Sequence, residues 1–128
     1  GGVGKTTLAW KIFHDPYIQY EFLTRIWVYV SQEFTKKDVF LAILKELIVR
    51  PTEDLSQKTD NELARLVSDH LQSRRFLIVM DDVWTSEDWD KIKIALPKTS
   101  KMGKVLITTV IRNWLGMPIA LEGHTICV

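Results

Sequence analysis

Gly1-Gly2-Val3-Gly4-Lys5-Thr6-Thr7 runs directly into Leu8, Ala9, Ile12 and Phe13, apolar residues at helical spacing, before Asp15-Pro16 stops the run. A glycine-rich turn that feeds a helix start reads as the downstream part of a phosphate-binding loop. Glycines accept positive-φ conformations and let the main chain approach phosphate oxygens closely. The N–H groups at the start of the helix, expected to open near Lys5, then face the anion. Lys5 supplies a positive charge for the β and γ phosphates, and the Thr6 hydroxyl is placed to ligate Mg2+. Gly1, Gly2, Val3, Gly4, Lys5, Thr6 and Thr7 are therefore the candidate nucleotide-binding residues. The complete pattern asks for one more Gly upstream of Gly1.

Working outward, Ile26-Trp27-Val28-Tyr29-Val30 is short, apolar and rich in β-branched and aromatic residues, the signature of a strand buried on both faces. Val39, Phe40, Ile43, Leu44, Leu47 and Ile48 form one helical stripe that ends before Pro51. Thr59 with Glu62 fits a capping box, and Leu63, Leu66, Val67 and Leu71 follow as the buried face of the next helix. Phe76 to Met80 is a second apolar strand, and it ends at Asp81-Asp82. A short helix is expected around Trp89, Ile92 and Leu96, and Lys104 to Thr109 reads as a third strand. Apolar strands alternating with helices argue for an α/β domain, a parallel sheet covered on both faces.

In such sheets ligands lie at the C-terminal ends of the strands. Asp81 is the candidate for holding Mg2+ through water, and Asp82 for orienting or activating an attacking water, as the catalytic group. Thr108 or Thr109, at the end of the third strand, is a weaker candidate for sensing a γ-phosphate.

Composition narrows the class. Lys and Arg number 17 against 16 Asp and Glu, for a net charge of +1, and no basic stripe marks a nucleic-acid partner. Apolar runs are far too short for a membrane span. The single Cys127 and three His make no zinc pattern, so a reducing, intracellular setting is the inference.

These residues together resemble the NB-ARC domain of plant nucleotide-binding, leucine-rich-repeat resistance proteins. The matching blocks are Gly1 to Ala9, Phe22 with Arg25-Ile26-Trp27-Val28-Tyr29-Val30-Ser31, Leu77 to Trp84, and Gly103 to Thr109. Trp84 after the paired Asp resembles the coiled-coil-headed subclass. The resemblance implies a P-loop NTPase, three-layer α/β/α with a parallel sheet, truncated before the P-loop strand. It implies a switch that binds ADP at rest and ATP when signalling, with Mg2+ and slow hydrolysis, in a cytoplasmic immune receptor. Coiled-coil and leucine-rich-repeat domains of the parent receptor, and pathogen effectors indirectly, are the implied partners.

Residues 1–110 are then a partial nucleotide-binding subdomain and 111–128 an unassigned tail, a possible remnant of the following helical subdomain. Two departures stand out. Val110 occupies the place of the family's γ-phosphate-sensing Arg, with Arg112 two residues on, and the block Gly116-Met117-Pro118-Ile119-Ala120-Leu121 follows the third strand unusually closely. Without a strand before the loop, neighbouring strands are expected to expose unpaired N–H and C=O groups, making the fragment marginally stable. A turnover-driven P-loop ATPase or kinase, and a remnant that binds no nucleotide, are the competing readings.

Overall fold

The computed structural model describes residues 2–30, 33–50, 52–83, 86–97, 103–109 and 125–127, with the backbone alone for 2–6, 86, 109 and 125–127. Helix α1 (Gly2–Phe13) is followed at once by α2 (Pro16–Glu21) and strand β1 (Thr24–Tyr29). Helices α3 (Lys36–Leu47) and α4 (Asp60–Leu71) lead to β2 (Phe76–Val83), then α5 (Ser86–Lys93) and β3 (Lys104–Thr109), and β4 (Thr125–Cys127) comes last. The strands form a four-stranded sheet in the order β1-β2-β3-β4, parallel throughout.

Two apolar layers flank the sheet. On one face Ile26, Val28, Phe76, Ile78, Met80, Val105 and Ile107 pack against α3, α4 and α5, whose stripes carry Phe40, Leu44, Leu63, Val67 and Trp89. On the other, Leu77, Val79 and Leu106 meet Ala9 of α1, with Ile12, Phe13 and Trp27 at the margin. Alternate residues of β2 thus serve opposite layers, as a strand covered on both faces must. The architecture is the expected α/β/α sandwich.

Local signals explain the boundaries. Asp15 does more than end α1: its carboxylate accepts from the N–H groups of Tyr17 and Ile18, and Pro16 fills the first position of α2. Asp-Pro is therefore a start signal here, which the reading of it as a stop overlooked. Thr35 and Asp38 form a capping box on α3, and Thr59 and Glu62 form the expected one on α4. Two further expectations are corrected. The helix expected to open near Lys5 begins at Gly2, since each added residue closes one more backbone bond. The strands expected to lose a partner for want of the P-loop strand are paired: β2 with β3 over Leu77–Met80, and β3 with β4 over Val105–Ile107, which satisfies N–H and C=O groups that would otherwise need water.

Gly103, just before β3, sits where there is no room for a side chain. A Cβ at this position would overlap Cε1 and Cζ of the buried Phe76 ring. Gly103→Ala is expected to cost about 1–3 kcal/mol. Phe76→Leu in the same chain should recover part of that loss, because the clash partner shrinks. Urea unfolding of the single and double variants checks this; strict additivity would contradict the packing just described.

Candidate functional site

The direction of α1 decides what meets at the sheet's C-terminal edge. Its last turn is fastened at the opposite edge: the Arg25 guanidinium, near the start of β1, donates to the Phe13 carbonyl and lies 4.9 Å from the Phe13 ring centroid. Phe13 also meets Trp27 edge-on at 5.5 Å. Eight residues back along α1 is Lys5, roughly 12 Å away at 1.5 Å per residue. From Leu77, the register partner of Arg25, four residues along β2 reach Asp81, roughly 13 Å at 3.3 Å per residue. The backbone at Lys5 and the carboxylate-bearing end of β2 therefore lie at one edge of the sheet and on one face.

At that end the strand is irregular. Met80 pairs with Ile107 and Val83 with Thr109, so Asp81 and Asp82 together oppose the single residue Thr108. This is a β-bulge. Asp82 takes φ 68°, a left-handed conformation that Asp tolerates better than most side chains. The sequence reading ended the strand at Asp81-Asp82; β2 instead continues through both to Val83. The extra residue has a clear effect. Simple alternation would send Asp82 toward the Met80 layer and Val83 to the other face. With the bulge, Val83 joins the Met80 layer and Asp82 stays half-buried at the edge.

Side chains complete the ladder that the bulge interrupts. The Asp82 N–H donates to Thr108 Oγ1 at 2.7 Å, and the same hydroxyl donates to Asp81 Oδ1 at 2.5 Å. Asp81 and Thr108 are both buried, at 5% and 2% exposure. On its other side the Asp81 carbonyl accepts from the Val30 N–H at 2.8 Å. Tyr29, at the exposed end of β1, donates its phenolic O–H to Asp82 Oδ2 at 3.3 Å.

Of the sequence-derived site residues, Asp81 and Asp82 are brought together with Thr108. Gly2, Val3, Gly4, Lys5 and Thr6 occupy the start of α1, placed by backbone, and Thr7 follows with an exposed side chain. The other long helices carry acids in their first turn, Asp38 in α3, Asp60 and Glu62 in α4, Glu87 and Asp88 in α5, whereas α1 carries none. Its N–H groups and dipole are thus left without a local anionic side chain. Gly1, Val110, Arg112 and residues 116–121 lie outside the described residues. Tyr29 and the bridging part played by Thr108 were missed. A bulge leaves little trace in a sequence, although two adjacent acids ending an apolar strand hint at one.

This arrangement defines a P-loop α/β domain, with a glycine-rich helix start and an acidic strand end at the same edge of a parallel sheet. The NB-ARC domain family matches residues 1–116; the chain belongs to the NB-ARC family. Among the proteins it is similar to are three of Arabidopsis thaliana. Disease resistance protein RPP8 is 44% identical over 111 residues, Disease susceptibility protein LOV1 43% over 111, and Disease resistance RPP8-like protein 3 43% over 111. Each match covers 85% of this chain and 12% of the relative, so the chain spans about an eighth of their length.

The Asp82 charge, its hydrogen bond, partial desolvation and the Asp81 charge, in that order, hold the Tyr29 phenol above its ordinary pKa of 10.0. A raised folded-state value means a contribution to stability that is complete below the unfolded pKa and lost as pH rises through the folded one. Asp82→Asn should bring the Tyr29 titration down toward its ordinary value. NMR of 13Cζ-labelled tyrosine reads this residue directly, and an unmoved midpoint would show that the phenol and Asp82 do not meet in solution.

Proposed function

We propose that the chain is the ADP/ATP-binding part of a molecular switch in an intracellular plant immune receptor. One observation carries this reading: the topology sets the start of α1, whose first turn has no acidic residue, and the buried carboxylate of Asp81 on the same face and edge of the sheet. Polyphosphate needs N–H donors and cations, and its metal needs carboxylates, so both halves of the ligand find complementary chemistry there.

In this reading the N–H groups of Gly2, Val3 and Gly4 and the ammonium of Lys5 bind phosphate oxygens. Thr6 and Asp81 hold Mg2+, whose charge neutralises the phosphates as a leaving group forms. Among the described residues no cluster of three or more His, Cys, Asp or Glu would hold a metal unaided, which suits an ion shared with phosphates. Asp82 orients the attacking water. Its left-handed turn aims the carboxylate along the edge instead of into the apolar layer. Hydrolysis is slow and resets the switch, while the contacts of neighbouring coiled-coil and leucine-rich-repeat domains follow the nucleotide. Recognition of pathogen effectors belongs to parts of the receptor beyond this domain, in the cytoplasm. No described helix is long and apolar enough to cross a membrane.

Titration with a fluorescent ADP analogue tests the reading. The chain should bind it saturably in the presence of Mg2+. Lys5→Ala should weaken binding by roughly 10- to 100-fold, the loss expected for one charge-assisted hydrogen bond. Equal affinity in the two proteins would overturn the assignment of the helix start as the phosphate site.

A further inference from the structure

Thr108 was read from sequence as one of two residues able to meet a γ-phosphate. Its hydroxyl is instead committed twice over, accepting from the Asp82 N–H and donating to Asp81 Oδ1. A hydroxyl has a single proton to give. That proton goes to Asp81, so Thr108 has none left to offer a phosphate oxygen while this bond stands.

The placement follows from the bulge. Thr108 is the one residue of β3 set against two residues of β2, and its side chain replaces the ladder bond that the inserted residue breaks. It therefore links the conformation of one Asp to the orientation of the other. Releasing the Asp82 N–H would free the left-handed turn to relax. Releasing Asp81 Oδ1 would remove one of the bonds that orient that carboxylate. Thr108 is 2% exposed, so water has little access to its hydroxyl to take over either bond.

We infer that Thr108 is a positioning residue that fixes the Asp81 carboxylate for the divalent cation and holds the Asp82 turn, acting on the metal and not on the nucleotide. The inference rests on the nucleotide reading above and deepens it. A positioning role of this kind makes a distinctive demand: loss of the hydroxyl should raise the Mg2+ requirement for binding and leave metal-free nucleotide binding alone, because the α1 end carries the latter.

The test is a Mg2+ titration of fluorescent ADP binding, begun in EDTA, on the 128-residue chain and on Thr108→Val and Thr108→Ser. Valine keeps the shape and removes the hydroxyl; serine keeps the hydroxyl. Thr108→Val should raise the Mg2+ concentration at half-effect about tenfold, the equivalent of one net hydrogen bond to a charged group, with binding in EDTA changed less than about twofold. Thr108→Ser should restore the original requirement. An unmoved Mg2+ requirement in Thr108→Val, an equal loss of binding in EDTA, or a serine variant that behaves as valine does would each overturn the inference. If Thr108→Val does not fold, as judged by its amide NMR spectrum, Thr108→Cys takes its place with the same outcomes, since a thiol donates only weakly. Absence of Mg2+-dependent binding by the unsubstituted chain sinks the nucleotide reading itself and the inference with it. A requirement unmoved by Thr108→Val in a chain that binds sinks the inference alone.

Discussion

β2 is shared by both apolar layers, and that sharing constrains everything around it. A strand covered on both faces has no side on which a carboxylate is harmless. Two consecutive acids in regular alternation would drive one of them into the Met80 layer, where Val83 now packs. The chain resolves this by inserting a residue opposite Thr108 and by accepting one left-handed Asp. Such a conformation costs on the order of 1–3 kcal/mol, comparable to leaving one buried polar group unpaired. The hydroxyl of Thr108 keeps the second cost from being added to the first.

The remaining elements place this corner relative to α1. Arg25 and Trp27 fasten the last turn of α1 at the far edge, and Ala9 settles against Leu77, Val79 and Leu106. With the helix fixed at one end and packed at its middle, its first turn is aimed along the strands toward the acids. The capping boxes of α3 and α4 serve the opposite layer, where they fix where each helix begins. On the other face, the first turn of α1 carries no acidic residue.

Much of this was legible in the sequence. Continuous apolar runs gave β1, β2 and β3 because strands buried on both faces have no polar face to interrupt them, and the helical stripes of α3 and α4 gave the opposing layer. The Thr59/Glu62 box marked the start of α4 to the residue. What escaped was whatever depends on cross-strand register. The bulge, the left-handed Asp82 and the Tyr29 contact each need the pairing of β1, β2 and β3 before they exist, and no local pattern encodes that pairing. Asp15-Pro16 is a different case: the same dipeptide both ends one helix and starts another, and only the second use was hidden. The acidic pair itself was found, because two charges closing a five-residue apolar run are conspicuous by composition alone.

The sheet's spatial order repeats its order along the chain. Each strand can therefore add to one already made as the polypeptide leaves the ribosome, without waiting for a later segment to be threaded between its neighbours. The exception is α1. It precedes all four strands along the chain, yet the surface that receives it is built from β2 and β3, which follow only after β1, α3 and α4. The helix is thus made well before the surface that seats it, and until β2 is in place its glycine-rich start has no acidic counterpart to face.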